Sequence, residues 1–319
     1  MAIRNRLETV FERRPASDYR DSVFEFLSRK RVMAALTMLP VFLLFLFVNV
    51  TPIVWAIAAS FHAIPALNPE WTFVGVENYV AVLENAVFYE SVWRSIVFAA
   101  GSVGLQLAFG VWIALMINRS FRGATLTRAV VMLPYLVPTA VLGFVALWMG
   151  NSQFGIINQL LLGAGIIDQA IAWYGSKQWA MISVIVTNSW KFSIFVTIMV
   201  LARLQGIPDG FYEAASVAGA TPYQQFRDIT LPNIKGIIFI VLLLRGVWMF
   251  NKFDIVFVLT GGGPLSETRT IPIHAYQVAF NQFRLGQAAA ISTLLFGMLI
   301  VAAIIYFKAF EPSKGVRVE

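Results

Sequence analysis

The chain has 319 residues, of which 58% are hydrophobic and 13% charged, about half the charge of an average soluble domain. A mean hydropathy of +0.72 with a formal net charge of +7 excludes an ordinary soluble enzyme and points to a multi-pass membrane protein. There are no cysteines and only two histidines, His62 and His274, so disulfides and thiolate chemistry are ruled out and no histidine pair stands at metal-ligand spacing; no metal or other cofactor is expected.

Residues 1–32 hold eight Lys/Arg and five acidic residues and read as a tail, with a short surface helix around Tyr19–Leu27. The apolar run that follows is much longer than the 7–15 residues of a signal-peptide core, and its Ala56–Ala58 pattern lies deep inside it, so it reads as a retained span. A span needs about 20 mostly apolar residues. Six stretches meet this, near 36–62, 94–117, 129–150, 178–203, 235–259 and 287–308. The predicted fold is an all-α membrane protein with six transmembrane helices over 33–310, no second soluble domain, and a short tail at 311–319.

Seventeen of the 24 Lys and Arg residues fall in the 1–32 tail, the 118–128 and 203–235 segments and the C-terminal tail, against three (Lys177, Arg269, Arg284) in the alternate loops. The positive-inside rule then places both termini in the cytoplasm. It also accounts for most of the net charge without nucleic acid as a partner.

Span three carries Pro134 and Pro138, which remove backbone donors and bend a helix. A bend beside a moving pathway and a bend that serves packing are both consistent with the sequence. After span four comes FYEAASVAGATPYQQFRDITLP, residues 211–232. Asp209 is placed to cap a helix, with Glu213 near its positive end. Gly219 is placed to end that helix in a left-handed conformation. Thr221, Pro222 and Gln224 then form a capping-box pattern for a second short helix. Tyr223, Phe226 and Thr230 are expected on one face of it, and Leu231-Pro232 is expected to stop it. The small side chains of Ala214, Ala215 and Ala218 would let another surface approach closely; an ordinary structured loop is the competing reading.

Two spans also carry polar and charged residues, which are costly in a bilayer. Arg245, Trp248 and Lys252 share one helical stripe on span five, with Asn251 and Asp254 elsewhere around it. Span four adds Asn188, Trp190 and Lys191. Aromatic platforms beside hydrogen-bonding groups suit a sugar-lined path, for which Asn188, Trp190, Lys191, Arg245, Trp248 and Asn251 are the candidates. The structural alternative is that Lys252 and Asp254 snorkel or pair with neighbours. No GxxxxGK[ST] phosphate loop occurs, and GGGP at 261–264 has no following Lys, so the chain is not expected to bind ATP itself.

The pattern Glu213-Ala214-Ala215, Gly219-Ala220, Phe226, Ile229, Leu231-Pro232 resembles the signature loop of the permeases of ATP-binding cassette (ABC) importers. FVGVENYV (73–80), RAVVMLPYLVP (128–138), FGIINQLLL (154–162) and FDIVFVLTGGGP (253–264) are similar to segments of its maltose and glycerol-phosphate branch. One departure is Ala218, where many members carry Asp. The resemblance spans about residues 33–310. It implies a type I ABC importer transmembrane domain in the inner membrane whose 204–234 loop, with its coupling helices, docks into a cleft of an ATPase subunit. The implied partners are a homologous second permease, two ATP-binding cassette ATPase subunits, an extracytoplasmic solute-binding protein and membrane lipid. The implied solute is a sugar or polyol. Gly219→Asp would then abolish transport without affecting insertion, through a clash where the chain must turn. An ion-coupled secondary transporter is the alternative, with Asp254 and Asn251 as its only candidate ion site.

Overall fold

A computed structural model describes residues 30–64, 70–118 and 122–309; the expected N-terminal surface helix and the C-terminal tail lie outside them. The described residues fall into two units divided after Ala58. The first contains helix α1 (Lys30–Phe45), a π turn (Leu46–Val50) and most of α2 (Thr51–Ser60). Together they form one apolar run long enough to cross a membrane.

The second unit is built around three long helices. Asn85 caps the 32-residue α4 (Ala86–Ile117) by accepting from the Val87 N–H, so this helix begins eight residues before the apolar run expected at 94. Helix α8 (Ala180–Leu204) packs most extensively against α4, and α11 (Leu231–Phe250) against both. Small residues set the α4–α8 approach. A Cβ on Gly110 would stand 2.5 Å from Val196 Cβ and 2.8 Å from the Ser193 carbonyl, and Ser189 Oγ donates to the Ser102 carbonyl. Where the three helices meet, Ala114, Val196, Val200, Ile234 and Val241 are fully buried.

The third expected span is divided. Helix α5 (Ala124–Leu136) and α6 (Thr139–Met149) meet at 90°. The break follows from Pro138: it excludes Val137 from the helical region, and both residues are extended. Pro134 lies inside α5 and does not end it. The fifth span also differs from its expected bounds of 235–259. Its helix ends at Phe250, and α12 (Asp254–Thr260) is a separate piece that packs on α6. The last helix, α14 (Leu285–Ala309), packs on α13 (Ile271–Tyr276) and on α3 (Glu77–Leu83). Among the described residues five helical runs are therefore long and apolar enough to span, and the bent α5–α6 pair makes up to a sixth.

The connecting segments have structure of their own. His62–Ala63 (β1) pairs antiparallel with Thr72–Phe73 (β2). The 154–162 stretch contains α7 (Ile156–Gly163). There the buried Asn158 amide donates to the Asn151 and Ile171 carbonyls and accepts from the Ile171 and Trp173 N–H groups. One side chain thus uses its full hydrogen-bonding capacity to close the loop.

Candidate functional site

Two features of the second unit are candidates. The first is the 209–232 segment. Helix α9 covers Asp209–Val217. Pro208 occupies the N-cap and Asp209 is the first helical residue, so Asp209 acts on the helix dipole from within the first turn rather than by capping; Glu213 sits mid-helix. The predicted hinge is present. Gly219 has φ +79°, the Ala220 N–H donates to the Ala215 carbonyl at 2.9 Å and the Gly219 N–H to Ser216 at 3.0 Å. These two bonds form a Schellman turn. The capping box is also present, with Thr221 Oγ1 accepting from the Gln224 N–H and the Gln224 side chain accepting from the Thr221 N–H.

Helix α10 (Pro222–Gln225) does not stop at Leu231-Pro232. It continues through a π turn (Phe226–Thr230) directly into α11, making one helical run from Pro222 to Phe250. In the π turn the Leu231 N–H reaches back to the Phe226 carbonyl. Proline stops a helix because its ring meets the preceding turn and its nitrogen donates nothing; the wider turn placed just before Pro232 makes room for the ring. The same pairing occurs in the first unit, where the π turn Leu46–Val50 is followed by Thr51-Pro52.

The π turn also shifts the helical phase, so Tyr223, Phe226 and Thr230 do not share a face. Tyr223 is exposed, Phe226 is half-buried and Thr230 is buried. Thr230 meets Tyr212 of α9 hydroxyl to hydroxyl at 3.0 Å, and Phe226 and Ile229 are half-buried. Facing out are Glu213, Ala214, Ala218 and Gly219, with Phe211, Tyr223 and Val217, the last 91% exposed. Ala215 and Ala220 are half-buried, and Leu231 and Pro232 lie on the surface. Among the described residues the ion pairs are Glu90–Arg94, Lys177–Glu267, Arg227–Asp228 and Lys252–Asp254, so Glu213 has none.

The second candidate is a polar cluster within the helices. Arg245, 1% exposed, donates through Nε to Gln106 Oε1 at 2.7 Å. Its guanidinium lies 4.8 Å from the Phe192 ring centre and 5.6 Å from those of Phe195 and Trp248. Asn188 Nδ2, Gln106 Nε2 and an Arg245 terminal nitrogen all point at Met249 Sδ, at 3.0, 3.4 and 3.7 Å. The Lys252 ammonium is 4.3 Å from the Phe192 ring centre and pairs with Asp254 at 2.9 Å. Lys191 Nζ donates to the Val137 carbonyl and to Thr139 Oγ1. It therefore satisfies the backbone opened by Pro138, which is how a membrane helix tolerates such a break.

Asn188, Lys191, Arg245 and Trp248 thus come together around Phe192 and Met249. Trp190 and Asn251 stand on exposed surface and neither bonds nor stacks with the cluster. Gln106, Phe192, Phe195 and Met249 were missed in the sequence. A buried Gln alone in an apolar span was a usable signal for the first; nothing local distinguishes the others. The cost of such charges, about 2.5–3.5 kcal/mol each at a bilayer centre on insertion scales, makes their presence informative.

Residues 106–315 match the family described as "Binding-protein-dependent transport system inner membrane component". The chain is 33% identical over 283 residues to the trehalose/maltose transport system permease protein MalF of Thermococcus litoralis, covering 88% of this chain and 94% of that protein. It is 30% identical over 279 residues to the sulfoquinovosyl glycerol transport system permease protein SmoG of Agrobacterium fabrum, covering 87% and 90%. A crystal structure of a bacterial ABC transporter involved in import of the acidic polysaccharide alginate superposes with TM-score 0.77 at 20% identity, over 92% of this chain and 99% of that one. The match to the family profile spans well over half of the sequence, and its fold is that of a type I importer transmembrane domain: the chain belongs to the binding-protein-dependent transport system inner membrane components.

Proposed function

We propose that this chain is the permease subunit of an ATP-driven importer of a carbohydrate or related polyol, working with a second homologous permease, two ATPase subunits and an extracytoplasmic binding protein. The observation that carries the reading is the continuity of the run from Pro222 to Phe250. It joins an exposed helix–hinge–helix segment at one end to Arg245 and Trp248 at the other.

Glu213, Ala214, Ala215, Gly219, Ala220, Phe226, Ile229, Leu231 and Pro232 form or support the surface that meets the ATPase. Exposed Val217 and Tyr223 are the apolar anchors, and Glu213 is left to pair with a partner. The charge bias of 17 to three supports a cytoplasmic position for this segment and for both termini. Closure of the ATPases pushes the segment, and the push travels along the rod to the helices that line the path. ATP and the loaded binding protein must each favour one conformational state, since a ligand shifts an equilibrium only by its differential affinity. Along the path Asn188, Arg245 and Trp248 are the solute-facing candidates. Lys191 supports the α5–α6 break, and Trp190 and Asn251 lie at the rim. Relatives named for trehalose/maltose and for sulfoquinovosyl glycerol support the carbohydrate class.

An ion-coupled transporter would need a free carboxylate in the spans, and Asp254 is already paired with Lys252. The test is mass spectrometry of what co-purifies with the tagged chain in mild detergent, followed by ATP-dependent uptake in proteoliposomes. Recovery of a second permease and an ATPase is expected. A chain recovered alone, with uptake that follows an ion gradient, would refute the proposal.

A further inference from the structure

We infer that the solute carries a negative charge, resting on the reading that α8 and α11 line the solute path. The ring of Phe192 is shared by three cations. Lys252, Arg245 and Lys191 stand 4.3, 4.8 and 5.3 Å from its centre. Against them the described residues set one carboxylate, Asp254, bound to Lys252. Lys191 has only a carbonyl and a hydroxyl as partners. Arg245 has only the neutral Gln106 side chain, a thioether sulfur and aromatic faces. Two positive charges are therefore uncompensated inside the apolar bundle.

The donor balance points the same way. Three donors turn to Met249 Sδ, a weak acceptor, while the buried Asn188 Oδ1 has no partner among the described residues. A path for an uncharged sugar needs matched donors and acceptors but no net charge, and two unpaired cations would only add desolvation cost. A carboxylate, sulfonate or phosphate on the solute supplies the missing negative charge. It need not touch Arg245 directly, because charges act over longer distances in a low-dielectric interior. Lys252 and Trp248, partly exposed, are the groups it meets first.

The test uses the purified importer complex, reconstituted with its co-purifying subunits. Thermal stability is followed during titration with galacturonate or trigalacturonate, and with the uncharged galactose and galactotriose, at matched ionic strength. Uronates are expected to raise the melting temperature in a saturable way at concentrations where the neutral sugars do not. Asp254→Asn, which removes the one carboxylate that the described residues set against this cluster, is expected to tighten the uronate response about threefold to tenfold, a change that disruption of a structural pair would not produce. Arg245→Gln should weaken the response tenfold or more, with Lys252→Gln as the second variant should Arg245→Gln not fold. Equal or stronger stabilisation by the neutral sugars overturns the inference, as does a weaker uronate response in Asp254→Asn. Absence of any response also overturns it. These outcomes are separate from those of the importer proposal, which fails only if the complex lacks an ATPase or transports without ATP.

Discussion

Gly219 offers the sharpest test of how the exposed segment works. Its φ of +79° is in the left-handed region, and a Cβ added there would meet nothing within 4 Å. The clash expected from the sequence is therefore absent within this chain, and the intrinsic cost of substitution is conformational. For an ordinary L-residue that cost is about 1–2 kcal/mol, and less for Asn or Asp. It acts against the two Schellman bonds, each worth about 1 kcal/mol. The ratio of hinged to unhinged segment should then fall about fivefold in Gly219→Ala and about thirtyfold in the β-branched Gly219→Val, while Gly219→Asn stays within about twofold, and uptake should fall in the same order. The assay is ATP-dependent uptake in cells, normalised to the amount of each variant in the membrane, which should not change. Gly219→Asp beside Gly219→Asn isolates the charge, and loss of uptake by Asp alone would place an acidic or apolar partner surface over the hinge. Asn as harmful as Val would show that the open space, and not the backbone, is what matters. Normal uptake by Val would refute the coupling role altogether.

Other substitutions test the scaffold. Lys191→Met removes the donor that satisfies the Val137 carbonyl at the α5–α6 break and should destabilise the protein by about 1–3 kcal/mol, read as a lower melting temperature in detergent; an unchanged melting temperature would mean the ammonium is not needed there. Gly110→Ala places a methyl group 2.5 Å from Val196 Cβ and should cost about 1–3 kcal/mol by overpacking, with partial rescue by Val196→Ala in a double-mutant cycle. Burial, with the charge of Arg269 adding to it, holds the His274 imidazole down to about 4. An unfolded histidine titrates near pH 6.5, so this contribution is fully present above about that pH and is lost as the pH falls toward 4, by up to about 1.4 kcal/mol per unit. A thermal-stability profile between pH 7 and 4.5 should show that slope in the native protein and a flatter one in His274→Gln.

The legible parts of the sequence were those whose signals are local. A glycine that ends a helix, a Thr-Pro-x-Gln box and long apolar runs each act within a few residues, and the structure follows them. Pro232 misled because whether a proline stops a helix depends on the turn before it, and no residue type marks the π turn at 226–230. Pro138 did bend its span, but the size of the bend depends on what stabilises the opened backbone, and that is Lys191, more than 50 residues away. The polar cluster was half legible for the same reason. Arg245 and Asn188 stand out in apolar spans, whereas their meeting with Gln106 and Met249 is a property of how three helices pack.

The unbroken run from Pro222 to Phe250 has one more consequence, for what changes of length it tolerates. Each residue turns an α-helix by about 100° and lengthens it by about 1.5 Å. A single insertion between Leu231 and Arg245 would therefore swing Arg245 and Trp248 about a quarter-turn off Phe192, even with every side chain kept. The rod is keyed, like a shaft with a notch at each end. The π turn at 226–230 already carries the extra residue that sets the angle between the two notches, so deleting one residue there would re-index the charged end without touching it.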